Sequence, residues 1–150
     1  MASKDSCEKF MRQAISLALK NVRSGAGGPF AALIVRAGRV MGRGTNRVTS
    51  TNDPTAHAEI VAIREACSVL QKFQLAGCEL YTTCEPCLMC LGAIYWAPPA
   101  RIFYAGTGDE AAAAGFDDKL IYEELHRSAE KRRIPSTQIL HEESLAIFEA

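Results

Sequence analysis

The sequence predicts an α/β fold in which one sheet lies between layers of helices. Three observations carry this. Strand-like and helix-like segments alternate along the chain, which is the pattern of a layered α/β architecture. The strand-like run Cys78 to Thr82 leads almost directly into a helix start at Pro86. At 150 residues, with neither internal repeats nor low-complexity tracts, the chain reads as a single domain over 1–150.

Taken in order, Phe10, Ala14, Leu17, Ala18 and Val22 follow helical spacing and predict a first amphipathic helix. Ser24 to Pro29, rich in glycine, breaks it. Phe30 to Arg36 and Val40 to Asn46 read as strands joined by an Ala37-Gly38 turn. Asn52-Asp53-Pro54-Thr55 is a turn signal, and a helix is expected from about Ala56 to Leu70. Cys67 inside it reads as a small core residue. After the strand Cys78 to Thr82, a second helix runs to about Ala97, where Pro98-Pro99 stops it. Arg101 to Ala105 reads as a fourth strand. The pattern then weakens. Asp109 to Ala114 and Lys119 to Lys131 read as helical, Thr137 to Leu140 as a fifth strand, and Glu142 to Ala150 as a closing helix.

Composition narrows the class. Seventeen basic and seventeen acidic residues give a formal charge of zero, against the basic surface expected of a protein that grips a nucleic-acid backbone. Arg36, Arg39, Arg43 and Arg47 cluster on the early strands and read as a solvated face. No apolar run reaches the length of a membrane span. The charged N-terminus is not a secretion signal. Six cysteines without such a signal predict thiols and metal ligands rather than disulfides, and a cytoplasmic location.

Chemistry concentrates in His57-Ala58-Glu59 and Pro86-Cys87-Leu88-Met89-Cys90. Together they offer three natural zinc ligands, His57, Cys87 and Cys90. A structural zinc site closes with four protein ligands, whereas a catalytic one leaves a place for water. Cys87 and Cys90, three residues apart, share a face if a helix begins there, and Pro86 suits its first turn. His57 and Glu59 cannot share a helix face and belong at an irregular first turn. Both helix starts would then bring positive ends to the metal. Glu59 is expected to move protons rather than to ligate. Two blander readings use Cys84 instead, as part of a Cys-x-x-Cys-x-x-Cys iron–sulfur run or as the fourth ligand of a structural zinc knuckle. Neither explains Glu59, and the first leaves His57 idle as well.

The H-x-E…P-C-x-x-C pattern is that of zinc-dependent base and nucleoside deaminases. With Gly27-Gly28-Pro29-Phe30, Thr45-Asn46-Arg47-Val48, the run Asn52 to Glu59, Thr82 to Cys90, Gly92 to Trp96 and Ala114-Gly115-Phe116-Asp117-Asp118, the chain resembles the cytidine deaminase superfamily. Gly115-Phe116-Asp117-Asp118 narrows the resemblance toward bacterial-type guanine deaminases. It implies a three-layer α/β/α fold around a five-stranded mixed sheet, one zinc ion per chain, and conversion of guanine to xanthine and ammonia. It also implies that Asn46 bonds the base, that Phe30 walls the pocket beside Ala58, and that Asp117 or Asp118 joins Glu59 in catalysis. A homodimer is implied, with an exchanged C-terminal segment as one arrangement. Relatives with this pattern carry a further C-terminal segment bearing an aromatic residue, whereas this sequence stops at Phe148-Glu149-Ala150. A shortened chain or a differently closed site is therefore expected. For Asp117 and Asp118 the plain alternative is capping of the helix that starts at Lys119. The rival functions are a tRNA adenosine deaminase, a guanosine or cytosine deaminase, and a non-catalytic zinc-binding scaffold.

Overall fold

Ser3 opens the structure, a computed structural model that describes residues 3–150. Its side chain accepts from the Ser6 N–H and caps helix α1 (Lys4–Arg23). The buried stripe of α1 is Phe10, Ala14, Ala18 and Asn21. The sequence reading continued that stripe to Val22. The structure corrects this, because Val22 is exposed and the polar Asn21 is buried in its stead.

Strands β1 (Ala31–Arg36) and β2 (Arg39–Thr45) form the expected hairpin. Ala37 and Gly38 both take positive φ, as the tight turn matching strand twist requires. A short helix α2 (Val48–Thr51), absent from the sequence reading, precedes the Asn52–Thr55 turn. Helix α3 (Ala58–Leu70) follows, then β3 (Cys78–Cys84), α4 (Leu88–Trp96), β4 (Arg101–Gly106) and α5 (Gly108–Ala113). Ala97 caps α4 just before the two prolines.

The sheet order is β2-β1-β3-β4. β1 is antiparallel to both neighbours, and β3 is parallel to β4. The sheet is mixed, as expected, but among the described residues it has four strands rather than five. Residues 137–140 form no strand, and Leu140 takes positive φ at the cap of the closing helix. The run is four residues long and exposed, so it lacks the apolar alternation that would commit it to a sheet face.

Side-chain alternation splits the core in two. Ala32, Ile34 and Leu80 face Ala58, Ala62 and Ala66 of α3 and Ile94 of α4. Leu33, Val35 and Tyr81 face Phe10 and Ala14 of α1. Helices therefore cover both sheet faces, giving the predicted three layers. Gly44 lets α3 lie close on β2. A Cβ there would stand 1.9 Å from the Ala58 carbonyl oxygen.

The chain divides into two compact units between Asp117 and Asp118. The second contains α6 (Lys119–Leu125), a 3₁₀ turn (Ala129–Lys131) and α7 (His141–Glu149). The expected helix Lys119 to Lys131 is thus interrupted. Glu124 organises that stretch, accepting from the Arg133 N–H at 2.7 Å and pairing with Arg127 at 3.1 Å.

Candidate metal centre

Four chain segments meet at one end of the sheet. There Ala31 pairs with Thr45, Ala32 with Thr82, and Cys84 with Gly106. The Thr83 hydroxyl accepts from the Ala31 N–H at 3.1 Å and holds the edge together. Beyond β2, the Arg47 N–H donates to the Ala56 carbonyl at 2.9 Å. That bond ties the end of β2 to the residue before His57.

His57 and Cys87 are the N-caps of α3 and α4. Each helix start therefore brings its free N–H groups and its positive end to the cluster. Pro86 lies two residues before α4, preceding the Cys87 N-cap, and not in the first turn that the sequence predicts. His57 Nδ1 stands 3.5 Å from Cys87 Sγ and 3.5 Å from Cys90 Sγ. Among the described residues these three form the group able to hold a metal, with all donor atoms within 4.8 Å of one another. A tetrahedral zinc with ordinary Zn–N and Zn–S bonds sets nitrogen and sulfur about 3.6 Å apart. The donor set and its spacing therefore fit zinc.

The hydrogen bond from the Cys90 thiol pushes Cys87 down to about 4, with His57 helping. The same bond, with burial, pushes Cys90 well up. A thiolate is the form a metal takes. Cys84 does not join the donor group. Its sulfur lies 3.6 Å from the Thr107 carbonyl oxygen, which disfavours the zinc-knuckle reading.

Glu59 sits in the first turn of α3, 7% exposed. The Thr82 hydroxyl reaches Oε1 at 3.0 Å, and Cys90 Sγ lies 3.4 Å from Oε2. Burial pushes the carboxyl up from its ordinary range. Sequence reasoning missed Thr82. Its signal was a polar residue two positions after Leu80 on the same apolar strand face, and threonine is too common in strands to stand out.

The remaining residues fall in several places. Ala58 is buried between His57 and Glu59. Asn46 follows β2, and its Oδ1 accepts from the Val48 N–H at 3.2 Å. Phe30 precedes β1 and meets Phe116 edge-to-face, with ring centroids 4.9 Å apart. Nothing local in the sequence announces this contact across 86 residues. Asp117 ends the first unit, in the loop after α5. Asp118 opens the second, at the N-cap position of α6 but without a side-chain capping bond. The capping alternative thus has the position and lacks the bond.

Residues 4–106 match the cytidine and deoxycytidylate deaminase zinc-binding region. The chain belongs to that family. It is 54% identical to the guanine deaminase of Bacillus subtilis over 143 residues, covering 95% of this chain and 92% of that one. The X-ray structure of the Bacillus subtilis guanine deaminase superposes with a TM-score of 0.92 over 95% of this chain and 90% of that one. The tRNA-specific adenosine deaminase of Agrobacterium fabrum is 45% identical over 85 residues, 57% of this chain and 56% of its own. The guanine deaminase is thus matched over nearly its whole length, and this tRNA deaminase over little more than half.

Proposed function

We propose that this chain catalyses the hydrolytic deamination of guanine to xanthine and ammonia, with one zinc ion per chain held by His57, Cys87 and Cys90. The near-full-length likeness to a guanine deaminase carries the choice of substrate. When bound, zinc supplies a Lewis acid that lowers the pKa of water.

Glu59 takes a proton from the attacking water as its oxygen bonds to C2 of the base, and delivers that proton to the neighbouring ring nitrogen. Collapse breaks the bond from C2 to the exocyclic nitrogen, which leaves as ammonia with a further proton. The Thr82 hydroxyl fixes one carboxylate oxygen, and the other, 3.4 Å from Cys90 Sγ, is the one we assign to the transfer. Asp117 or Asp118 is the group we assign to the second proton transfer. The Asn46 amide, its Oδ1 already engaged by Val48, offers its NH₂ end to a carbonyl of the base. Phe30, braced by Phe116, supplies an apolar wall beside Ala58.

Among the described residues no helix is long and apolar enough to cross a membrane. We assign the chain to purine breakdown in the cytoplasm, a compartment that keeps free cysteines such as Cys87 and Cys90 as thiols. We assign the working form to a homodimer, because α7 exposes Ile147 and Phe148, apolar surface that a second copy would cover.

The deciding experiment follows xanthine by absorbance, alongside ammonia release from a panel of bases and nucleosides. Guanine is expected to be far the best substrate. Silence on guanine with inosine appearing in a tRNA anticodon stem would replace this reading with the tRNA one. Turnover of guanosine alone would keep the chemistry and change the substrate.

A further inference from the structure

We propose that Asn21, on the last turns of α1, is a positioning residue that sets the base-reading geometry of Asn46 and Phe30. The inference rests on the pocket reading above and adds a residue from outside the motif segments.

Asn21 is the polar member of an otherwise apolar stripe and is 7% exposed. Its Nδ2 donates twice, to the Gly28 carbonyl and to the Asn46 carbonyl, each at 2.9 Å. One carbonyl lies two residues before Phe30, and the other is that of Asn46 itself. The Phe30 N–H donates to Gly28 O at 2.9 Å, and the Asn46 N–H donates to Phe30 O at 3.1 Å. One side-chain nitrogen therefore closes a ring through Gly28, Phe30 and Asn46. The packing admits no slack. A Cβ on Gly27 would lie 2.0 Å from the Asn46 oxygen and 3.2 Å from Asn21 Nδ2. A Cβ on Gly28 would meet the Phe30 ring at 3.3 Å.

The chemistry explains the residue type. An amide nitrogen carries two hydrogens and can serve two carbonyls at once. An aspartate of the same shape offers only acceptors and would repel both. With the Asn46 backbone pinned by Asn21 and its Oδ1 held by Val48, the direction of its NH₂ group is determined. That direction is what distinguishes a base carrying a ring carbonyl from one lacking it.

The test compares Asn21→Asp with the parent protein, with Asn21→Ser as a milder variant that keeps one donor. Binding of hypoxanthine, which has the carbonyl, and of purine, which lacks it, is measured by calorimetry. Neither ligand has an amine to lose, so the readout does not depend on turnover. Asn21→Asp should weaken hypoxanthine by about ten- to thirtyfold and purine by less than about threefold, because a site built for a polar group discriminates through it. Zinc content should be unchanged. In an Asn46→Ala background the same change should cost hypoxanthine less than about threefold, the non-additivity expected of residues acting together. Asn21→Ser should fall between, and decides the matter if Asn21→Asp does not fold. Equal weakening of both ligands, or additive losses in the double variant, would reduce Asn21 to a loop staple and overturn the proposal. If the parent binds hypoxanthine better than purine yet does not deaminate guanine, the substrate reading fails while the Asn21 comparison still stands.

Discussion

The Thr82 hydroxyl stands 3.0 Å from Glu59 Oε1, and the Thr82 side chain is 1% exposed. Thr82 lies on β3, two residues before Cys84, and its hydroxyl also lies 3.1 Å from the Cys84 carbonyl. The strand that leads to the Cys87 turn thus also holds the carboxylate beside His57, Cys87 and Cys90. One strand end thus aligns Glu59 with the His57, Cys87 and Cys90 group.

Glu59→Gln should retain zinc and fold while losing about two to four powers of ten in turnover, the range for general acid–base groups. Thr82→Val keeps the shape and deletes the hydroxyl. Hydrogen bonds to charged groups contribute about 1.5–3 kcal/mol, so kcat should fall by about ten- to a hundredfold. KM and zinc content should change little, and Thr82→Ser should recover most of the loss. Wild-type kcat in Thr82→Val would remove Thr82 from the positioning of Glu59.

Metal analysis should return one zinc per chain. Chelation should lower the melting temperature, and added zinc should restore it, because a ligand of the folded state stabilises it by mass action. Cys87→Ser should release the metal and loosen the starts of α3 and α4, which the ligands cap. Full zinc occupancy in Cys87→Ser would mean that another donor holds the ion.

Much of this site was readable in the chain, for a physical reason. His57, Glu59, Cys87 and Cys90 lie within a few residues of helix starts, and helix starts are announced by local turn and proline signals. The strands of the hairpin were equally plain, since apolar content and the Ala37-Gly38 turn are local. What escaped depends on partners far along the chain. Thr82 reaches Glu59 across 23 residues and Asn21 reaches Asn46 across 25. Neither residue has a neighbour in sequence that hints at its bond. Val22 takes the place of Asn21 in the predicted stripe because hydrophobicity ranks it higher, while the Gly28 and Asn46 carbonyls require a buried amide. Residues 137–140, the expected fifth strand, form none.

Asp53 gives the turn before His57 a pH dependence. Its Oδ1 accepts from the Thr55 hydroxyl at 2.7 Å and the Thr55 N–H at 2.9 Å, with Arg64 3.6 Å from the other oxygen. The Thr55 side chain first, then its N–H, hold the carboxyl below its ordinary value. A depressed folded pKa means the contribution is complete above the unfolded value, about 3.9, and is lost as pH falls through the folded one. Asp53→Asn cannot titrate. The melting-temperature gap between parent and variant should stay constant from neutral pH to about 5 and narrow below about 4. A gap that widens on acidification would contradict the sign.

Two glycines should respond in opposite directions to alanine. Gly44 faces backbone alone, with a Cβ placed 1.9 Å from Ala58 O and 2.6 Å from Ala62 N. Helix α3 must move away from β2 to admit the methyl, at a cost of about 1–3 kcal/mol. Since Ala58 follows His57, Gly44→Ala should also weaken zinc binding. Gly92 lies inside α4, exposed, and a Cβ there meets nothing within 4 Å. Alanine in a helix interior is favoured over glycine by about 1 kcal/mol. Gly92→Ala should therefore raise the melting temperature by a few degrees and leave zinc content alone. A fall at Gly92 would mean that another copy of the chain lies over α4 at that point, and light scattering on the same variant would then register a weakened dimer. Stability unchanged at Gly44 would refute the close seating of α3 on β2, and with it the account of how the sheet edge brings His57 to the cysteines.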